Sequence, residues 1–174
     1  MFEFRLLKKE ELNQFVYDIQ ESFQKGFEDY FGPCKDTIIP EKDIMESYNA
    51  KGAKSYILLE NGEVLGGCIV QINDNNINEL HILYVKVGSQ SKGIGFEIWQ
   101  RIEELYPNTM KWTTCTPYFD QRNIHFYVNK CGFHIVEFLN KYHHPVDFPD
   151  DFIGDHGEGM FEFEKIMKME NNNE

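Results

Sequence analysis

The stretch from Glu79 to Leu105 limits most strongly what this chain can fold into. Glu79-Leu80-His81-Ile82-Leu83-Tyr84-Val85-Lys86-Val87 reads as a strand and Gly88-Ser89-Gln90-Ser91-Lys92-Gly93-Ile94-Gly95 as a turn. From Phe96 the chain reads as a helix. Strand, glycine-bearing turn and helix in that order make a holder for phosphate. The turn exposes backbone N–H groups, and the positive end of the helix dipole faces the same space. Gly93 and Gly95 have no Cβ, so a ligand can approach the main chain there. A Rossmann turn needs a third glycine three positions after Gly95, where this chain has Ile98. A P-loop ends in Gly-Lys-Ser/Thr, and here Ile94 and Phe96 follow the two glycines. Both common nucleotide fingerprints are therefore excluded.

The rest of the chain supplies a sheet and helices around that stretch. Phe2, Phe4 and Leu6 alternate with polar residues as a half-buried strand. Leu12, Phe15, Val16, Ile19, Phe23 and Phe27 form one apolar stripe on a long helix that Gly32-Pro33 stops. Pro40 suits the start of a second helix, which ends near Gly52. Tyr56–Leu59 and Val64–Ile72 read as strands joined by an Asn61-Gly62 hairpin turn, with Gly66-Gly67 marking a bulge or a close backbone contact. The central strand follows from Ile77 to Val87. Met110–Thr116 reads as a strand able to pair with it in parallel, since a helix separates the two. A helix from about Gln121 to Cys131 closes at Gly132. A strand over Phe133–Lys141, a loop over Tyr142–Gly157, a last strand over Met160–Met167 and a solvated tail complete the chain.

Composition removes several function classes. The net charge is −12 among 174 residues, a surface that repels nucleic acid and anionic membrane and favours cationic small molecules. No apolar run reaches the roughly 18 residues of a spanning helix. Met1-Phe2-Glu3-Phe4-Arg5 lacks a charged leader followed by an apolar run, so it does not read as a signal peptide. Cys34, Cys68, Cys115 and Cys131 are scattered without a C-x-x-C pair, which points to free cytoplasmic thiols rather than a disulfide scaffold or zinc site.

A second motif lies at Asn123-Ile124-His125-Phe126-Tyr127-Val128-Asn129-Lys130-Cys131-Gly132-Phe133. Asn123, Tyr127 and Lys130, at i, i+4 and i+7, share one helical face beside an apolar stripe of Ile124, Val128 and Cys131. That face suits a cofactor groove, and equally a solvated helix side.

Taken together, Gln90-x-x-Gly93-x-Gly95, five residues beyond Val85, resembles the acetyl-CoA pyrophosphate loop of the GNAT superfamily of N-acetyltransferases. The Asn123, Tyr127 and Gly132-Phe133 run resembles that family's second cofactor motif. The resemblance covers Ile77 to Phe133. It implies an α+β fold: a mixed, mostly antiparallel seven-stranded sheet flanked by about four helices, in one domain over residues 1–169 with a tail over 170–174. It implies acetyl transfer from acetyl-CoA to a primary amine by direct attack. Main-chain groups at Leu83, Tyr84 and Val85 would polarise the thioester carbonyl. Gln90, Ser91, Lys92, Gly93, Ile94, Gly95 and Phe96 would surround the diphosphate. Asn123 would bind the pantetheine or phosphate arm, with Lys130 on the cofactor side, and Tyr127 would be the general acid. The arm itself would lie in a V-shaped opening between Leu83–Val85 and Met110–Thr116. Tyr127 departs from the family spacing, lying five residues before Gly132 instead of four, and one residue rotates a helical side chain by about 100°.

The attacking amine needs a base. Glu79 lies six residues before Val85, on the strand face shared with His81 and Leu83, and some GNAT enzymes carry a catalytic glutamate at this spacing. His81 is the alternative, because an imidazole needs no tuning near neutral pH. Either side chain also has a purely structural reading. His143-His144 is a poor metal pair, since neighbours on a strand point to opposite faces. Cys115 and Cys131 read as inert thiols. No metal is expected. A cationic acceptor fits the acidic and aromatic segments Phe27–Phe31 and Tyr142–Gly157. A homodimer is one assembly open to such a chain. The competing functional reading is a CoA-binding regulatory module that performs no transfer.

Overall fold

The computed structural model describes residues 1–147 and 159–167. The strands run β1 (Phe2–Leu6), β2 (Ala53–Glu60), β3 (Glu63–Gln71), β4 (Ile77–Val85), β5 (Lys111–Pro117), β6 (His134–Leu139) and β7 (Met160–Ile166). The helices are α1 (Leu12–Phe31), α2 (Glu41–Asn49), α3 (Ile94–Leu105) and α4 (Gln121–His125). The sheet order is β1-β2-β3-β4-β5-β7-β6, and β4–β5 is a parallel pair. This is an α+β fold with a seven-stranded, mostly antiparallel sheet and four helices. By contact density the chain forms two compact units. One holds Met1–Asn73 with Leu80–Pro107, and the other holds Asp74–Glu79 with the chain from Asn108 onward.

In the first unit α1 buries the stripe at Phe15, Val16 and Ile19 and ends at Gly32, whose φ of 82° only glycine adopts freely. Asn61 and Gly62 both take positive φ, 51° and 83°, which gives the β2–β3 hairpin the primed turn that matches strand twist. The register slips between Leu58 and Leu59, opposite Gly66 and Val64, so the glycine pair does mark a bulge. It also permits close packing. A Cβ on Gly66 would lie 2.5 Å from the Tyr84 carbonyl, and one on Gly67 would run into the Tyr56 carbonyl and the rings of Phe15 and Tyr84. Phe15, Ile19, Ile44, Ile57, Ile69, Ile82 and Tyr84 make this unit's core. Burial of each such side chain contributes roughly 1.5–3 kcal/mol.

The second unit centres on aromatic packing. Tyr127 lies 5.7 Å from Phe133 and 5.5 Å from Phe163, ring centre to ring centre, and Trp112 is fully buried.

Several boundaries differ from the sequence reading, for local reasons. The central strand stops at Val85, two residues early, because Lys86 and Ser89 already form a turn through Ser89 N–H donating to the Lys86 carbonyl at 2.9 Å. Helix α3 starts at Ile94, so Gly95 lies inside it and Gly93 (φ 76°) is its N-cap. Strand β5 starts one residue later than expected, at Lys111, and runs one further, to Pro117, which pairs with Met160. Strand β6 is shorter than expected, His134–Leu139. The expected single helix over Gln121–Cys131 is two pieces: α4, then a π-helical turn over Phe126–Lys130. Residues 148–157 of the expected loop and the tail over 170–174 lie outside the described residues.

Candidate functional site

The turn between β4 and α3 belongs to the first unit. Gly88 (φ 93°), Ser91 (φ 63°) and Gly93 (φ 76°) are all left-handed, three in six residues, so the backbone curls back on itself before the helix. Ser91 is the costly member, since a side chain disfavours that region by about 1–2 kcal/mol. As N-cap, Gly93 has no side chain that could accept from the first-turn amides. The first-turn amides of α3, which have no partner inside the helix, therefore remain the donors that an anion needs. Gln90 is half-buried, and Ser91 and Lys92 are exposed. Ile94 is buried and offers only main chain, whereas Phe96 is partly exposed at the first turn.

On β4 the side chains alternate strictly. Asn78, Leu80, Ile82 and Tyr84 are buried; Glu79, His81, Leu83 and Val85 are half-buried on the other face. Tyr84 packs edge-on against Phe15, ring centres 5.5 Å apart, and burial pushes its phenol well above the usual tyrosine range. Its side chain is core, so any ligand contact at Tyr84 is through main chain. The Val85 carbonyl accepts from the Ser22 hydroxyl at 3.0 Å. His81 pairs through Nε2 with the Gln71 side-chain oxygen at 2.8 Å. One open groove of about 670 Å³ runs along α1, lined by Tyr17, Gln20, Glu21, Gln24 and Glu28 with Val87. Lys25, Asp29, Pro33 and Thr37 complete its lining, so it reaches past the end of α1, although neither Phe27 nor Phe31 lines it.

The second unit carries the remaining candidates. Glu79 pairs with Thr113 at the last parallel β4–β5 position. Lys111, Thr113 and Cys115 alternate on one face of β5, and Cys115 sits opposite Glu162, which sits opposite Glu137. Burial, then the Glu137 carboxyl that hydrogen-bonds it, raises the pKa of Glu162. Burial and the charges of Glu162, Glu79 and Glu137 push the Cys115 thiol up to about 12, which makes it a neutral, unreactive group at physiological pH. His143 Nε2 lies 2.6 Å from the Glu137 carboxylate, and no cluster among the described residues has the makings of a metal site.

The opposite face of β5 presents Thr114 and Thr116, both buried. Thr114 hydrogen-bonds the Tyr127 phenol, and Asn123 Nδ2 donates to Thr116 Oγ1 at 3.4 Å. Two residues of the second motif thus share the face over β5, while Lys130 is exposed at the end of the π turn. Before Gly132 the helix takes a π turn over Phe126–Lys130. Its hydrogen bond runs from Cys131 N–H to the Phe126 carbonyl at 3.0 Å, five residues back, which absorbs one extra residue without ending the helix. Phe133 N–H then donates to the Tyr127 carbonyl at 2.9 Å, and Gly132 takes φ 80°. Tyr127 is buried, and that burial raises its pKa. Sequence reasoning missed the supporting threonines, which the alternation along β5 could have revealed. It also missed the Glu137–Glu162 pair, which depends on a strand register that no local signal shows.

Known proteins resemble this chain in sequence and in fold. The profile of the acetyltransferase (GNAT) family matches residues 14–133. The chain is 45% identical over 170 residues to the uncharacterized protein YrkN of Bacillus subtilis (strain 168), covering 94% of this chain and 92% of that one. The crystal structure of the ribosomal-protein-S18-alanine N-acetyltransferase from Escherichia coli superposes with a TM-score of 0.71 at 15% identity, over 100% of this chain and 99% of that one. The PaiA N-acetyltransferase from Thermoplasma acidophilum, solved in complex with coenzyme A, superposes at 0.67 and 17% identity, over 96% and 99%. At such identities these structures speak for the fold. The family profile, spanning the phosphate turn and the second motif together, settles the matter: this chain is a member of the GNAT family of acetyltransferases.

Proposed function

We propose that this protein moves an acetyl group from acetyl-CoA to a primary amine by direct attack, without a covalent acyl-enzyme. The observation that carries the reading is the left-handed turn over Gly88–Gly93 delivering an uncapped α3 N-terminus, a cradle suited to a diphosphate. Gln90, Ser91, Lys92, Gly93, Ile94, Gly95 and Phe96 form that cradle, chiefly through main chain. Main-chain groups of Leu83, Tyr84 and Val85 would hold the thioester end, and Asn123 and Lys130 would flank the arm.

Glu79 takes the proton of the attacking amine, with His81 as the alternative base. The Gln71 contact holds the His81 ring in place, which supports a structural role for it as much as a chemical one. Tyr127 returns a proton to the departing thiolate. Its raised pKa keeps the phenol protonated at neutral pH, the form an acid requires, at the cost of acid strength. The acceptor class is a cationic amine. Glu21, Glu28 and Asp29 outnumber Lys25 along the α1 groove, and with the net charge of −12 they support it.

The four cysteines are free, which fits the reducing cytoplasm. No helix among the described residues is long and apolar enough to cross a membrane.

The deciding experiment is thiol release from acetyl-CoA across a panel of cationic, neutral and acidic amines. Release with cationic acceptors is the expected result. Release only with neutral or acidic amines overturns the acceptor class, and acetyl-CoA binding without release from any amine favours the regulatory module.

A further inference from the structure

The chain leaves β4 for the phosphate turn at Lys86, and nearly every group at this junction is held. The Val85 carbonyl accepts from the Ser22 hydroxyl at 3.0 Å. Lys86 N–H donates to the Leu65 carbonyl at 2.8 Å, and the Lys86 carbonyl accepts from Ser89 N–H at 2.9 Å. The Lys86 ammonium lies 3.7 Å from Asp18 Oδ2. Two of these four ties come from α1, where Asp18 and Ser22 are one turn apart on the same face.

Asp18 is the unusual member. It is a carboxyl group only 2% exposed, in a helix stretch whose other buried residues are Phe15, Val16 and Ile19. A charge in such surroundings is unfavourable unless it is paired and hydrogen-bonded. Both oxygens are engaged: Oδ1 accepts from Gln14 Nε2 at 2.8 Å, and Oδ2 faces Lys86. Helix packing alone would be served by an apolar residue at this position. The pair instead fixes the one lysine that roots the phosphate turn.

We propose that Asp18, acting through Lys86 and assisted by Ser22, is a positioning residue that sets the phosphate turn for acetyl-CoA. This rests on the acetyl-CoA reading above. A turn that binds through main-chain amides needs its backbone placed closely, since displacements near 1 Å can weaken such sites by orders of magnitude. Asp18 touches no substrate in this account. Its effect is carried by the backbone it anchors.

The test is calorimetric acetyl-CoA binding with steady-state kinetics for wild type, Asp18→Asn, Lys86→Met, their double variant and Ser22→Ala, each checked by thermal melting. Asp18→Asn and Lys86→Met are each expected to weaken acetyl-CoA about tenfold, with kcat at saturating cofactor within about twofold of wild type. The double variant is expected to be no weaker than either single one, because both break the same link. Ser22→Ala is expected to weaken binding about threefold. Lowered melting temperatures with unchanged acetyl-CoA affinity mean a purely structural pair and overturn the proposal, as do additive losses in the double variant. If Asp18→Asn does not fold, unchanged affinity in both Lys86→Met and Ser22→Ala overturns it equally. Wild-type protein that does not bind acetyl-CoA defeats the transferase reading itself, whereas wild-type binding with unaltered variants defeats only the positioning role.

Discussion

The phosphate turn of the first unit and the Tyr127 region of the second are built by opposite means. The turn is a main-chain device: left-handed residues at Gly88, Ser91 and Gly93 and the uncapped start of α3. The Tyr127 region is a side-chain device, with Thr114 on the phenol, Thr116 on Asn123 and a π turn accommodating one extra residue. A main-chain site tolerates most side-chain changes and is sensitive to dihedral angles. A side-chain site has the reverse sensitivities. Changes in the turn should therefore move acetyl-CoA affinity, and changes at Glu79 and Tyr127 should move turnover.

The largest expected effect is on turnover. Glu79→Gln should lower kcat by about a hundredfold or more, as loss of a general base does, with acetyl-CoA affinity by calorimetry unchanged. A variant that turns over like wild type removes Glu79 as the base. Next is Gly93→Val. A Cβ at Gly93 meets nothing within 4 Å, so crowding is not the issue, but φ 76° is a conformation β-branched residues avoid. Acetyl-CoA binding should weaken about tenfold with kcat at saturation little altered. Equal loss in both quantities would erase the distinction between the two regions.

Tyr127→Phe should lower kcat by roughly tenfold without changing affinity. Because burial raises the Tyr127 pKa, the wild-type rate should persist through the ordinary tyrosine value near pH 10 instead of falling there. A pH–rate profile whose alkaline fall at lower pH vanishes in Tyr127→Phe would contradict that.

The smallest effect concerns stability. The Glu162 pKa is raised in the folded protein, by burial first and then by Glu137. The native state therefore holds that proton more tightly than the unfolded chain does. The resulting stability is present at low pH and lost as pH rises through the native value. Glu162→Gln should melt higher than wild type above neutral pH, with the gap shrinking toward pH 4. A gap that widens on acidification would reverse the sign.

The two regions also differ in how much of them the sequence discloses. The turn before α3 is local: its left-handed positions Gly88, Ser91 and Gly93 lie within six residues, so the glycine spacing was enough to place a turn there. The strand order near it was readable for the same reason, from the Asn61-Gly62 hairpin and the helix between β4 and β5. Tyr127 was singled out as a residue, but its placement depends on hydrogen bonding that spacing alone does not show. The spacing before Gly132 marked a departure from the family pattern, and the π turn there was not legible from it. Asp18 and the Glu137–Glu162 pair were not legible at all. Asp18 lies beside the apolar stripe of α1 with no local signal of its burial, and its partner Lys86 lies far along the chain. Glu137 meets Glu162 only through the β6–β7 register, which carries a slip between Ile135 and Glu137.

The central claim is that backbone amides around Gly93 hold a diphosphate. Calorimetric titration of the same protein with coenzyme A, 4′-phosphopantetheine and pantetheine, which lacks the phosphates and the adenosine, tests it most directly, because the last two differ only in a phosphate. Both phosphorylated ligands should bind more tightly than pantetheine, coenzyme A by at least about a hundredfold, the advantage of several charge-assisted hydrogen bonds to one anion. Equal affinities for 4′-phosphopantetheine and pantetheine would show that the turn holds no phosphate.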